Sequence, residues 1–295
     1  MDPVELIESR PAAVGAMGVR RALPTRALRT VGAWCFADHM GPAEFAAGSG
    51  AGIGPHPHMG LQTVTWLFDG ELVHRDSLGT EQSIRPGQLN VMTAGRGVSH
   101  AEESPDAASH RLHGLQLWVA LPDATRDADP GFEHHGELPR VALAHATATV
   151  LVGRFADAVS PVPAHTDHVG VELVLGAGSS AAPVARAHEH ALVVVEGAVR
   201  LNGGVVADGQ LGYLGTGHDE LEFDCDAPAR AVLLAGTPFD EHLVLWWNYV
   251  ARGREEVVAA HRSWTSDDGR FGTVASSLPR TMVDPPAWAP PGEPD

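Results

Sequence analysis

Short apolar runs closed by glycine, proline or an Asp-Gly pair recur along most of the chain, a pattern that predicts strands and turns. Thr63–Phe68, Glu71–His74, Gln88–Thr93 and His113–Pro122 form a first series. Asp69-Gly70, between the first two, is a strong hairpin signal. In the last run Leu115, Leu117 and Val119 alternate with Gln116 and Trp118, so one face is apolar. Upstream, Val31–Phe36 reads as a strand ending in a turn at Asp38–Pro42, and the Gly/Ala-rich piece Ala46–Gly54 reads as a surface loop. A polar passage, Pro122–Arg140, precedes a second series at Val150–Gly153, Val171–Leu175, Leu192–Val195, Leu211–Leu214 and Ala231–Leu234. An all-β sandwich or barrel architecture follows.

The second series repeats the first. Gly87-Gln-Leu-Asn-Val-Met-Thr-Ala-Gly95 aligns without gaps on Gly209-Gln-Leu-Gly-Tyr-Leu-Gly-Thr-Gly217, and Phe68-Asp-Gly70 corresponds to Val195-Glu-Gly197. Duplication of one barrel unit explains both matches. The expected division is 1–135 for the first unit, 136–280 for the second with a C-terminal helix, and 281–295 for a proline-rich, irregular tail. The helix is predicted over Arg254–Trp264, with acids in its first turn and Val257, His261 and Trp264 on one face, stopping near Gly269. Six prolines follow from Pro279 onward.

Length agrees with this division, because 295 residues suggest about two domains of roughly 100–200 residues each. The formal charge of −17 and the absence of any basic run longer than Arg20-Arg21 argue against direct nucleic-acid binding. Cys35 and Cys225 form no disulfide framework, no apolar run approaches a membrane span, and the N-terminus lacks a secretory pattern. A soluble cytoplasmic protein is expected.

The residues that carry chemistry lie at alternate positions. His56 and His58 precede the first series, and His100 and Glu102 follow Ala94-Gly-Arg-Gly97. On a strand, residues i and i+2 share a face, so each pair can aim two ligand atoms at one point. Two such strands side by side offer three imidazoles and one carboxylate, a set suited to a divalent transition metal with open positions. In the repeat these positions fall on Pro183, Ala185, Glu222 and Asp224, so a single metal site in the first unit is expected.

With Arg21-Ala-Leu-Pro24, Asp38-His-Met-Gly-Pro42, His56-Pro-His58, Met92-Thr-Ala-Gly-Arg-Gly97, His100-Ala-Glu102 and Gly114-Leu-Gln-Leu-Trp-Val119 in view, the chain resembles the pirin family of the cupin superfamily over most of residues 15–240. The resemblance implies tandem cupin barrels, of the double-stranded β-helix or jelly-roll type, with one metal in the N-terminal barrel. It carries the ligand roles onto His56, His58, His100 and Glu102. Fe(II) is the expected ion, with Mn, Ni, Co, Cu or Zn as alternatives. Family members are described as quercetinase-like dioxygenases or as iron-dependent, redox-sensitive regulators. The first role implies a small aromatic substrate and dioxygen, and the second a protein partner. Many pirins have Glu where this chain has Gln62, whose amide cannot ionise. Toward the C-terminus the segment Leu245–Arg254 departs from the familiar pirin ending.

Glu102 is then the candidate for both ligand and proton acceptor, with Gln62, Trp66 and Met92 as candidate pocket walls and barrel core as the competing role for Trp66 and Met92. His188 and His190 share the alternate spacing but lie off the repeat's ligand positions, so a solvated or partner-bonded pair is expected. His134 and His135, like His110 and His113, read as surface or capping residues. Trp246 and Trp247 read as packing between the barrels or under the helix, and Cys35 as a small buried hydrophobe.

Overall fold

The computed structural model describes residues 3–15, 17–45, 52–105 and 111–289. Two seven-stranded antiparallel sheets and two four-stranded sheets hold nearly all of the regular structure. The first large sheet runs, in spatial order, Gly131–His135, Leu89–Thr93, Leu61–Asp69, Arg111–Ala120, Trp34–Glu44, Met17–Leu23, Arg10–Val14. The second runs Glu5–Glu8, Gln210–Leu214, Glu189–Glu196, Ala229–Gly236, His168–Leu175, Ala146–Val152, Arg140–Ala142. Each is completed into a barrel by a four-stranded sheet. These are Gly52–His58, Val98–Glu103, Leu72–Asp76, Glu81–Ile84 in the first, and Gly178–Pro183, Glu220–Cys225, Ala198–Leu201, Gly204–Ala207 in the second. Strand orders correspond one to one, so the repeat of the sequence is a repeat of topology. The expected all-β pair of barrels with one C-terminal helix is what the chain forms.

Alternation sorts the side chains. Val64, Trp66, Leu115, Leu117 and Val119 pack against Val193, Val195, Leu211, Val232 and Leu234 of the other barrel, so the two large sheets share one apolar layer. The opposite face of the Leu61–Asp69 strand, with Leu61 and Leu67, points into the first barrel. Trp34 crosses between the barrels, fully buried, and its Nε1–H donates to the carbonyls of Val169 at 3.0 Å and Ala235 at 3.2 Å. Gly170 admits it, since a Cβ there would lie 3.0 Å from the indole.

The chain ends do not respect a simple division along the sequence. Glu5–Glu8 pairs with Gln210–Leu214 of the second barrel, at the place that Gly131–His135 fills in the first. At the other end the helix Arg254–Ser266, whose C-cap Asp267 has left-handed φ, packs Val257, Ala260 and Trp264 with Met59, Tyr249 and Phe271. Val250 N–H donates to the Met59 carbonyl at 3.0 Å and Ser99 N–H to that of Phe271 at 3.0 Å. The C-terminal segment is thereby fastened to the first barrel rather than the second. Part of the expected tail is ordered in the same way. Thr281 N–H donates to the Pro55 carbonyl at 2.8 Å, and Trp264 Nε1–H to that of Thr281 at 2.9 Å.

Three local expectations change. Asp69-Gly70 turns the chain but closes no hairpin, because Leu61–Asp69 pairs within the large sheet and Leu72–Asp76 within the four-stranded one. Asp38–Pro42 is not a turn but the middle of the strand Trp34–Glu44, which pairs with neighbours on both sides. Of the expected loop Ala46–Gly54, residues 46–51 lie outside the described residues and Gly52–Gly54 already belong to a strand. No helix among the described residues is long and apolar enough to cross a membrane.

Candidate metal centre

The strands Gly52–His58 and Val98–Glu103 pair antiparallel with His56 opposite His100 and His58 opposite Val98. His56, His58 and His100 are all buried, and their ligating nitrogens lie within 4.8 Å of one another. Ring centroids are 4.3 Å apart for His56 and His100, 4.8 Å for His58 and His100, and 5.1 Å for His56 and His58. Glu102, also buried, lines the same cavity but lies outside that group of three. Between His100 and Glu102 the register slips, because Glu102 meets Ile53 rather than Gly54. The extra residue on the partner strand falls at Gly54-Pro55, where a bulge re-aims the neighbouring side chains.

Each ring has one nitrogen engaged, and two of the three have the other buried without a partner. His56 Nδ1–H donates to the Gly54 carbonyl at 2.9 Å. The Asn248 backbone engages His58, whose Nδ1 is buried without a partner. His100 Nδ1 meets His74 Nδ1 at 3.2 Å, and its Nε2 is buried without a partner. Burial holds all three rings in the neutral form: His56 is lowered to about 4, and His58 and His100 fall well below the ordinary value. Neutral imidazoles with oriented free lone pairs are what a divalent transition ion requires, and an orphaned buried nitrogen is costly unless something takes it. The donor set therefore fits a divalent metal. Burial also pushes the Glu102 carboxyl up, while the His74 ring and the Thr65 hydroxyl draw it partly back.

The three histidines sit in the wall of a cavity of about 930 Å³. Phe36 and Trp118, stacked 3.8 Å apart, form one side, and His58 meets Trp118 edge-on at 5.2 Å. Arg21 grips Asp38 through two hydrogen bonds of 2.6 and 2.7 Å beside them. Trp246, Trp247 and the segment Leu278–Val283 form the opposite side.

Of the expected pocket residues, Gln62 and Trp66 share the face of Val64, away from the site. Gln62 donates to Thr93 Oγ1 at 2.9 Å, Trp66 belongs to the layer between barrels, and Met92 packs in a cluster with Leu61 and Val98; none of the three lines the cavity. Trp246 and Trp247 do pack under the helix, and they line the cavity as well. His113 is buried, not superficial, with Nε2 at 2.7 Å from His39 Nε2, because its strand lies in the middle of the large sheet; His110 lies outside the described residues. His134 and His135 are half-buried, the first meeting Asn90 at 2.7 Å. His188 Nε2 meets Asp167 at 3.0 Å, and both it and His190 are buried. Cys35 is buried, and burial pushes its thiol up to about 12.

Two residues next to the centre were not singled out by spacing. His74 and Asp76 stand on Leu72–Asp76, the strand on the other side of Val98–Glu103, with His100 opposite Asp76 and Glu102 opposite His74. They form a third alternate pair, which is the signal that could have found them. Burial alone would raise Asp76, but hydrogen bonds from His74 and Thr80 outweigh it and hold its carboxyl below the usual range.

Two barrels of matching strand order, packed through their large sheets, with three convergent imidazoles in one of them, define a bicupin whose His cluster could hold a divalent metal. The family described as Pirin matches residues 16–119 and the Pirin C-terminal cupin domain matches 170–272. A Pseudomonas aeruginosa protein named "Putative quercetin 2,3-dioxygenase" is 42% identical over 288 residues, covering 97% of this chain and 91% of that one. A pirin-like protein of Caulobacter vibrioides is 35% identical over 266 residues, covering 88% and 92%. The crystal structure of quercetin 2,3-dioxygenase from Acinetobacter baumannii superposes with a TM-score of 0.93 at 39% identity, covering 99% of this chain and 97% of that one. The chain belongs to the pirin family.

Proposed function

We propose that this chain is a metal-dependent dioxygenase of the quercetin 2,3-dioxygenase type, acting on a flavonol or a similar enolisable aromatic. The observation that carries the reading is the set of three buried imidazoles converging in the wall of a cavity of about 930 Å³, with His58 Nδ1 and His100 Nε2 buried and without a partner. Its relatives' names supply the substrate type. His56, His58 and His100 would hold one divalent ion, with Fe(II) the first choice among first-row metals, and Glu102 is the carboxylate within the same cavity available to the ion and to the substrate. When bound, the ion supplies Lewis acidity that lowers the pKa of a coordinated hydroxyl and a site at which dioxygen can react.

The protein's own groups divide the remaining work. Glu102, whose carboxyl burial makes more basic than an exposed one, is the group in the cavity suited to take the substrate's hydroxyl proton. Phe36 and Trp118, stacked on each other, give an aromatic wall for a planar substrate to pack against, and Trp246 and Trp247 line the same cavity.

The test is oxygen uptake together with loss of flavonol absorbance, using protein loaded in turn with Fe(II), Mn(II), Ni(II), Co(II) or Cu(II). Turnover with at least one ion is expected, abolished in His56→Ala and reduced roughly 10²–10⁴-fold in Glu102→Gln. Stoichiometric metal with no oxygen consumed for any ion would overturn the enzymatic reading and favour a binding protein.

A further inference from the structure

His100 is not free to choose which nitrogen it presents. The Asp76 carboxylate accepts backbone N–H groups of Leu78 and Thr80 at Oδ1, at 2.9 and 3.0 Å, and its Oδ2 lies 3.0 Å from His74 Nε2. An acceptor fixed in this way requires the proton on His74 Nε2, so in the neutral ring Nδ1 of His74 is itself an acceptor. That atom lies 3.2 Å from His100 Nδ1, which must donate. The lone pair of His100 is thereby left on Nε2, the buried nitrogen without a partner that shares the cluster with His56 and His58. The whole path is dry: His100 is 1% exposed, Asp76 2% and His74 4%. Phe132 stacks on the His74 ring at 4.4 Å and 22°, so the ring cannot turn without losing that contact.

We propose that Asp76 and His74 are positioning residues, a two-step hydrogen-bonded relay that fixes the tautomer and ring plane of His100 and so sets the affinity and electronic character of the metal centre. The inference rests on the metal reading above and deepens it. Metal-binding imidazoles commonly donate their second N–H to a carboxylate or carbonyl, which raises ligand basicity; loss of such partners weakens metal binding roughly 10–100-fold. Here a second imidazole stands between carboxylate and ligand. His56 and His58 use backbone carbonyls for the same purpose, so His100 is the ring of the three whose orientation depends on side chains.

The measurement is Co(II) affinity by chelator competition, with the visible Co(II) spectrum as a second readout, on the full chain and on His74→Phe, His74→Gln and Asp76→Asn. His74→Phe keeps a ring against Phe132 and removes the acceptor; Kd is expected to rise about 10–100-fold with an altered spectrum. His74→Gln restores an acceptor and is expected to recover part of both. A folded His74→Phe with wild-type Kd and spectrum overturns the relay while leaving the metal site standing. Wild-type protein that holds no Co(II) overturns the metal reading itself. Should the variants fail to fold, ¹⁵N-ring NMR of the unsubstituted protein decides: a proton on His100 Nδ1 is expected, and one on Nε2 overturns the proposal.

Discussion

A tryptophan with no role in the site determines whether the site's barrel has a fixed neighbour. Trp34 leaves the first barrel's sheet and donates its N–H to two carbonyls of the second, in the space that Gly170 leaves by lacking a side chain. His168 meets the indole edge-on at 5.2 Å. Truncating a buried indole typically costs about 3–5 kcal/mol, and the carbonyls left without their donor add to this. Trp34→Ala is expected to lower stability by that amount in urea unfolding, and Trp34→Phe by less, because the ring remains while the hydrogen bonds go. Loss in Trp34→Phe equal to that in Trp34→Ala would mean that the N–H dominates and the packing argument is wrong. Sequence alone placed Trp34 on a strand, yet its partners lie 135 and 201 residues away and leave no local trace.

At the scale of elements, the parts that were legible obey a period. The helix runs to Ser266, close to its expected stop, and Asp69-Gly70 is a turn with Gly70 at φ +91°, though it passes the chain from one sheet to the other instead of closing a hairpin. Register turns the alternate spacing of His56, His58 and His100 into convergence at one place. What spacing could not show is which face of Leu61–Asp69 looks inward: both faces are buried, one on the barrel interior and one on the second barrel, so Trp66 was as plausible a pocket wall as any. Nor could it show the bulge that separates Glu102 from the three rings. The segment Leu278–Val283 was illegible for a third reason. It is held by backbone carbonyls and by Arg280 lying 3.8 Å over Trp264, and its composition resembles that of any proline-rich end. Gly54 makes that docking possible, because a Cβ there would lie 2.0 Å from the Pro279 carbonyl oxygen. Gly54→Ala should therefore lift the segment from the cavity wall. Hydrogen exchange of the Thr281 amide, now bonded to Pro55, is expected to accelerate while amides of the second barrel stay unchanged. An unchanged Thr281 rate would show that the backbone there can yield without releasing the segment.

For the molecule as a whole, the buried histidines set how the fold responds to acid. In the second barrel, burial lowers His168 and His190 to about 4, and in the shared region burial and the adjacent Arg20 lower His39 to about 3. In the unfolded chain these rings titrate near 6.5. Between pH 6.5 and about 4 the unfolded state binds protons that the folded state refuses, so stability is full above the unfolded pKa and is lost as pH falls toward the folded one. One pH unit of depression corresponds to about 1.36 kcal/mol, which puts His168 alone on the order of 3 kcal/mol by pH 4. The carboxyls of Glu102 and Glu172, raised by burial, work in the opposite direction and gain stability as pH falls, so the histidine contribution is best isolated by substitution. His168→Gln, tested without added metal, should unfold at a denaturant midpoint that falls less steeply between pH 6.5 and about 4 than that of the wild type. The two curves should converge toward the acid end, where the wild type has lost what the neutral ring preserved. Parallel curves across that window would mean that His168 is protonated without resistance in the folded protein, and that the dry layer around Trp34 admits water.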